Sequence, residues 1–165
     1  MKGLIRKILR EETEEKVLTI PGLHYFGNVE TPDERFETWN RVLSYVDDRK
    51  FKIKGYLNLM RTPIQSLGDL QSVGGHLNLF NTPIQSIGNL QSVGGDLNLN
   101  KTPIKSLGNL QSVGGDLYLI RTPIQSLGNL QSVGGNLYLY ETPISKKYSE
   151  EEIRQMVNVE GEIIM

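Results

Sequence analysis

The chain has 165 residues, with 18 Lys plus Arg against 19 Asp plus Glu, a formal net charge of −1 at pH 7 and no cysteine. This length suits one domain. A near-neutral charge gives no electrostatic basis for binding nucleic acid, and the lack of cysteine excludes disulfides, thiolate metal sites and a cysteine nucleophile. No apolar run is long enough to span a bilayer. With no signal peptide recognisable at the start, a cytoplasmic location is expected.

The first residues, MKGLIRKILREETEEK, predict a short amphipathic helix. Its apolar face consists of Leu4, Ile5, Ile8 and Leu9. The acidic run from Glu11 to Glu15 would be repelled by anionic lipid, so we expect the helix to dock on the rest of the protein or on a partner. The opening MKGLIRKILREE also resembles the start of many small marine bacteriophage proteins. That resemblance implies association with a virus particle as an alternative location.

A second helix is predicted from about Pro32 to Asp48. Thr31 serves as the N-cap, Pro32 occupies the first turn and Glu34 completes a capping box. The apolar stripe of this helix comprises Phe36, Trp39, Val42, Leu43 and Val46. Because the ends of a solenoid would otherwise expose apolar residues, we interpret residues 1–54 as an N-terminal helix and cap, with Trp39 in the core.

Residues 55–145 repeat a twenty-residue unit in four full copies and the start of a fifth. The copies begin at Gly55, Gly75, Gly95, Gly115 and Gly135. So strict a period indicates a solenoid, in which each coil buries its apolar residues against its neighbours. We therefore predict a β-rich α/β fold with one parallel sheet of about six short strands, a helical N-terminal cap, and a short C-terminal helix followed by a last strand.

The segment G-x-L-x-L-x-x-T-P-I alternates apolar and variable residues, as a half-buried strand does. Leu57 and Leu59 point inward, and Pro63 ends the strand because it has no N–H to donate. The pair Gly74-Gly75 predicts a corner that tolerates neither a side chain nor a negative φ. Twenty residues leave no room for a helix on the far side, which should be extended or turn-like.

The pattern L-x-L-x-x-T-x-I-x-x-L-x-x-L resembles a leucine-rich repeat of the short twenty-residue bacterial class. Threonine stands where that family places a ladder asparagine, whose side chain bonds backbone groups of neighbouring coils. The resemblance therefore implies the same role for the hydroxyls of Thr62, Thr82, Thr102, Thr122 and Thr142.

Residues 146–165 predict a C-terminal cap. Ser149 begins a short helix whose apolar side is formed by Ile153, Met156 and Val157. The last seven residues match the repeat from Val133 onward, which predicts a final strand with Ile163 and Met165 pointing inward. Its uncovered edge is a place where a homo-oligomer or an end-to-end stack would begin.

Some polar residues never vary among the copies, and we interpret them as scaffold because irregular backbone needs short polar partners. They are Gln71, Ser66, Ser72 and their equivalents. The varying residues form columns on the outward side of the strands. The first column is Tyr56, His76, Asp96, Asp116 and Asn136; the second is Asn58, Asn78, Asn98, Tyr118 and Tyr138; the third is Met60, Phe80, Asn100, Ile120 and Tyr140. An exit column, where the strands end, is Arg61, Asn81, Lys101, Arg121 and Glu141.

Aromatic residues, methionine and arginine on an open sheet are typical of a protein-binding surface. The predicted partner-binding residues are Tyr56, Asn58, Met60, His76, Asn78, Phe80, Asn98, Asn100, Tyr118, Ile120, Tyr138 and Tyr140. The sequence thus predicts a non-catalytic module that binds a protein partner through this face. The alternatives are a structural or assembly protein, such as a component of a virus particle or filament, and a protein that binds carbohydrate or ice.

Catalysis, metals and cofactors are not expected. The two histidines, His24 and His76, lie in no motif with a nucleophile or a metal-ligand spacing. Asp96 and Asp116 lie on adjacent coils, but two carboxylates without further oxygen ligands make a poor calcium site.

Overall fold

The structure is a computed structural model, which describes residues 17–23 and 27–165. The helix predicted for the first dozen residues, and His24, lie outside the described residues. Within them the chain forms short strands wound into a solenoid, with helices near both ends. In chain order the elements are β1 (Leu18–Ile20), α1 (Pro32–Val46), β2 (Phe51–Ile53), β3 (Leu57–Asn58), β4 (Leu70–Val73), β5 (Leu77–Asn78), β6 (Ser92–Val93), β7 (Leu97–Asn98), β8 (Ser112–Val113), β9 (Leu117–Tyr118), β10 (Ser132–Val133), β11 (Leu137–Tyr138), α2 (Pro143–Lys147), α3 (Glu150–Met156), β12 (Asn158–Val159) and β13 (Ile163–Ile164).

The strands form two parallel sheets. The front sheet has six strands in the order β13-β11-β9-β7-β5-β3, and the back sheet has seven in the order β1-β2-β4-β6-β8-β10-β12. Pairing follows the repeat period, so that Leu57 lies beside Leu77 and Val93 beside Val113. The predicted parallel sheet of six strands and the helical caps are confirmed. The far side, expected only to be extended or turn-like, is regular enough to form a sheet of its own.

The core runs unbroken along the solenoid between the two sheets. Every full coil contributes inward residues at the same six positions, which in the first coil are Leu57, Leu59, Ile64, Leu67, Leu70 and Val73, each at most 2% exposed. Because equivalent residues stack on one another, each coil covers the apolar residues of the coil before it. No single coil could bury this apolar surface alone.

The glycine pairs are required by contact between coils. A Cβ on Gly94 would strike the carbonyl oxygen of Gly74, and one on Gly114 would strike that of Gly94. None of these paired glycines has a positive φ, so the expectation that a negative φ would be costly there is wrong. The positive φ falls instead on Gly68 and its equivalents, at the turn before each back strand.

Each front strand ends in a residue in the left-handed conformation. Arg61, Asn81, Lys101, Arg121 and Glu141 have φ between 54° and 59°. The next residue, a threonine, then turns back on the same coil: the hydroxyl of Thr62 donates to the carbonyl oxygen of Leu59 at 2.6 Å, and its N–H donates to the same oxygen. The threonines therefore do not bridge neighbouring coils as the leucine-rich-repeat resemblance implied.

Helix α1 covers the first coil. The predicted capping box between Thr31 and Glu34 is present, and the backbone N–H bond to the Glu34 carboxylate is the main reason that its pKa is lowered. Trp39 is fully buried and donates from Nε1 to the carbonyl oxygen of Ser66 at 3.2 Å. Val42 and Val46 are also buried, while Phe36 and Leu43 are partly buried.

At the C-terminus, α3 begins at the predicted N-cap Ser149 and buries Ile153. The predicted register of the last coil is confirmed, since Val133 pairs with Val159 and Leu137 with Ile163. Two expectations are wrong. Met156 and Met165, predicted to lie on the apolar sides of their elements, are 49% and 42% exposed, whereas Ile153 and Val157 are the residues that α3 and its C-cap bury.

The arginine of α3 takes over the role of a further coil. In each full coil the carbonyl oxygens equivalent to those of Val159 and Gly161 accept from the N–H groups of the next coil, as those of Val133 and Gly135 do. In the last coil, Arg154 donates to these two oxygens at 2.9 and 3.0 Å, and Glu150 holds its Nε at 3.0 Å.

Candidate partner-binding face

The predicted site is the outward side of the front sheet, which we call the strand face. All twelve predicted residues lie on it, in three adjacent columns. Tyr56, His76 and Tyr140 are exposed, with Tyr56 at 61% and Tyr140 at 52%, and the others are half-buried. The structure therefore brings the predicted residues together on one surface.

The first column is a ladder of hydrogen-bond acceptors that links the coils. Asp96 Oδ1 accepts from the backbone N–H of Asp116 at 2.8 Å, and Asp116 Oδ1 accepts from that of Asn136 at 2.7 Å. Asn136 Oδ1 continues the ladder by accepting from the N–H of Glu162 at 2.8 Å. Each acceptor occupies the space that a Cβ would fill on the glycine one coil further on, such as Gly115 beneath Asp96. These side chains hold the coils in register. Because each carboxylate accepts a backbone N–H, Asp96 and Asp116 are tolerated at equivalent positions of neighbouring coils.

His76 begins this ladder. Its Nδ1 accepts from the backbone N–H of Asp96 at 2.9 Å and lies 3.2 Å from Asp96 Oδ2. An imidazole that accepts at Nδ1 carries its proton on Nε2, so this hydrogen bond belongs to the neutral ring. The short distance to the carboxylate becomes an attraction only in the protonated ring. The later members of the column accept a backbone N–H in the same way, so the neutral ring of His76 is the form that continues the ladder.

The second column changes its chemistry along the solenoid. In the first three coils an asparagine oxygen accepts from the N–H two residues later, as Asn78 Oδ1 does from Phe80 at 3.0 Å. In the next two coils this residue is tyrosine. Tyr118 and Tyr138 stack with ring centroids 4.6 Å apart and planes at 10°. One face of each ring is therefore covered by the other ring.

The hydroxyl of Tyr118 donates to Asp116 Oδ2 at 2.9 Å. Burial of this hydroxyl, together with its hydrogen bond to the carboxylate, raises the pKa of Tyr118 to about 12. Asp116 thus uses one oxygen for the ladder and the other for the tyrosine pair. In the next coil the polarity reverses, since Asn136 Nδ2 donates to the hydroxyl of Tyr138 at 3.4 Å.

The third column and its neighbours form a cationic patch around Phe80. The guanidinium of Arg61 lies 5.8 Å from the ring centroid and the ammonium of Lys101 lies 5.4 Å from it. Both distances allow a cation–π attraction. Asn100 has a structural role, because its Oδ1 accepts from the N–H of Ile120 at 2.7 Å where Tyr118 offers no amide oxygen.

Further along the exit column, Arg121 and Glu141 form a bidentate ion pair with distances of 2.7 and 3.3 Å. The hydrogen bond and the opposite charge raise the pKa of Arg121 and lower that of Glu141. The pair is exposed, so solvent screens it and its contribution to stability is small.

Among residues 17–23 and 27–165, no group of three or more His, Cys, Asp or Glu side chains could hold a metal ion. In the same residues, no helix is long and apolar enough to cross a bilayer. Comparisons with protein families, with curated proteins and with solved structures find no match to this chain.

Two features of this face were missed by sequence reasoning. One is the acceptor ladder, for which the sequence did hold a signal. Every first-column residue but Tyr56 has a short side chain with an acceptor atom, and a glycine stands at the start of the following coil. The other is the left-handed conformation of the exit column. Only Asn81 among its five residues is of a type that favours this conformation, so the sequence held little sign of it.

Proposed function

We propose that this protein is a non-catalytic binding module whose strand face engages a protein partner, and that the solenoid is of the leucine-rich-repeat class. The observation that carries the proposal is the contrast between the inward residues, which are nearly constant, and the outward third column, which varies from coil to coil. The glycines repeat without change and the inward residues with one conservative exchange, Ile87 for leucine, whereas Met60, Phe80, Ile120 and Tyr140 differ widely at equivalent outward positions. Half-buried and exposed aromatic groups of this kind are typical anchors of protein interfaces.

The exit column supports the proposal independently. A left-handed residue costs about 1 kcal/mol when it is not glycine or asparagine. Glycine would relieve that cost in each coil, yet Arg61, Lys101, Arg121 and Glu141 carry long charged side chains there. Retained backbone strain of this kind is a feature of binding sites.

Two alternatives have less geometric support. Sugar binding favours an open aromatic face, whereas Tyr118 and Tyr138 turn one face of each ring against the other. Ice binding through the threonine row would need exposed threonines, but Thr62 and its four equivalents are at most 2% exposed. An assembly role through the N-terminal helix stays a prediction, because that helix lies outside the described residues.

The test is a capture experiment with a variant that the fold already accommodates. Tyr118 and Tyr138 are replaced by the asparagine of the first three coils, and Tyr140 by the asparagine of the third coil at the same column. The full chain and the variant Y118N/Y138N/Y140N are immobilised, and the proteins retained from an extract of the native host are compared.

We expect at least one protein to be retained by the full chain and lost by the variant, at an unchanged melting temperature. The matched control is K105Q, which lies off the face and introduces the glutamine that Gln65, Gln85 and Gln125 provide elsewhere. Identical retained sets for the chain and the tyrosine variant would contradict the proposal.

A further inference from the structure

The two borders of the strand face have opposite charge. The first column, continued by Glu162 in the last coil, carries Asp96, Asp116 and Glu162 and no cation besides the titratable His76. The exit column carries Arg61, Lys101 and Arg121 against Glu141. The middle of the face, between these borders, is polar at one end and aromatic at the other.

The two borders also match coil by coil. Read along one strand, the first-column residue and the exit residue of the same coil form the pairs Tyr56 with Arg61, His76 with Asn81, Asp96 with Lys101, Asp116 with Arg121, and Asn136 with Glu141. No pair places like charges together, and each is a pair that forms a cation–π contact, a hydrogen bond or an ion pair. The residue types on the two borders thus complement each other in all five front strands that have both border residues.

Contacts within the chain do not require this match. The two members of a pair are five residues apart on an extended chain, which holds them about 16 Å apart at about 3.3 Å per residue. Lys101 contacts the ring of Phe80 and has no carboxylate partner among the described residues. Asp116, Arg121, Asn136 and Glu141 have polar partners within the chain, so the match is one of charge and residue type along the two borders, with Lys101 the cation that a partner's acidic border would pair.

A two-fold axis parallel to the solenoid axis brings each border of one copy opposite the other border of a second copy. Rotation about such an axis, running just outside the strand face, reverses the strand direction but keeps the order of the coils. The first column of one copy then lies opposite the exit column of the other at the same level, and the stacked tyrosines of the two copies meet in the middle. Such an interface is isologous, so each pair occurs twice.

We propose that the partner of the strand face is a second copy of this chain, packed face to face about this axis. The inference rests on the proposed function, because it names the partner of the same face. Six strands about 4.8 Å apart span only about 24 Å, so the face is smaller than the roughly 800 Å² per partner of a standard interface. The dimer is therefore weak, and its charge pairs make it sensitive to salt.

The test is sedimentation equilibrium of the full chain from micromolar to about millimolar concentration at low salt. We expect a monomer–dimer equilibrium whose dissociation constant rises with ionic strength. K101E places two carboxylates opposite each other at two symmetric sites, and should raise the dissociation constant about tenfold. D96N/K101E should restore it to within about threefold, because it recreates the Asn136–Glu141 pair of the fifth coil. The K105Q control, off the face, should leave it unchanged.

We expect these variants to fold, because each new residue already occupies an equivalent position in another coil. Glu141 already occupies the left-handed exit position, and Asn136 already serves as a ladder acceptor. D96N/D116N, which alters only the first column, tests the same pairs from the other border and should also weaken the dimer. A monomer at the highest concentration, a K101E dimer as tight as the original, or growth beyond the dimer would each overturn the proposal. If the chain stays monomeric while Y118N/Y138N/Y140N still loses a captured protein, the second copy is wrong and the binding face is right.

Discussion

At the scale of the residue, two kinds of glycine hold this solenoid together for different reasons. Gly114 and its equivalents lie against the carbonyl oxygen of the previous coil, where backbone cannot move aside. Gly108 has a φ of +54° but no atom within 4 Å of the space its Cβ would fill. The first kind is set by packing and the second by backbone conformation.

The two glycines should therefore differ in their response to alanine. G114A forces two coils apart and should lower the free energy of unfolding by about 3 kcal/mol. G108A meets only the left-handed penalty and should cost about 1 kcal/mol. Urea unfolding at equal m-values measures both changes. Equal losses of unfolding free energy in G114A and G108A would show that packing does not distinguish the two glycines.

Tyr118 should titrate far later than an ordinary tyrosine. Its folded pKa of about 12 exceeds the usual value of 10.0, so the neutral hydroxyl stabilises the folded state fully below pH 10 and this contribution is lost as the pH rises toward 12. The tyrosinate absorbance of the chain, compared with that of Y118F, reports the transition. D116N removes the carboxylate acceptor and should lower the pKa of Tyr118. A transition near pH 10 would contradict the hydrogen bond.

At the scale of the element, the strands are too short to be stable alone, and side-chain ladders complete them. Front strands of two residues leave most of the pairing between coils to bonds at their flanks. Asp96 and Asp116 supply such bonds at the start of each strand, and Arg154 supplies them where the last coil ends. Both devices satisfy backbone groups that would otherwise lack a partner.

The ladder predicts a difference between two substitutions of one residue. D96N keeps an oxygen for the N–H of Asp116 and should leave the free energy of unfolding nearly unchanged. D96A removes the acceptor and should cost about 1 kcal/mol. Thermal or urea unfolding of the two variants side by side makes the comparison, and a D96N loss as large as that of D96A would mean that charge, rather than the acceptor, matters.

Arg154 should stabilise the last coil through its two carbonyl contacts. R154M retains much of the side-chain length but donates no hydrogen bond, and should lower the free energy of unfolding by about 2 kcal/mol. Amide hydrogen exchange should quicken first in the last coil, at Glu160 and Gly161. The neighbouring exposed variant Q155A is the control. Unchanged exchange in R154M would rule out the capping role.

At the scale of the whole molecule, the repeat predicted the architecture because its apolar spacing admits only one stacking. The register of the last coil followed from the match between Val133 and Val159. Features that depend on contacts between coils did not follow: the second sheet, the threonine hydroxyls that bond within their own coil, and the role of Arg154. Short segments carry little intrinsic preference, so neighbouring coils decide their conformation.

The candidate face was predicted from the contrast between varying and unvarying residues, and the structure brings those residues onto one surface. The contrast alone could not separate outward contacts from internal ones. His76, Asn58, Asn78, Asn98 and Asn100 vary or lie beside varying residues, yet each accepts a backbone hydrogen bond. The open part of the face is therefore smaller and more aromatic than predicted.

The central claim is that the repeated residues build the solenoid and the varying face residues do not. Thermal unfolding of Y118N/Y138N beside G114A tests it most directly. We predict that the tyrosine variant melts within about 3 °C of the original chain, because the rings are only half-buried and an asparagine at position 138 supplies a bond like that of Asn78, while G114A melts about 10 °C lower. A tyrosine variant that falls as far as G114A would show that the face is part of the scaffold and would contradict the account.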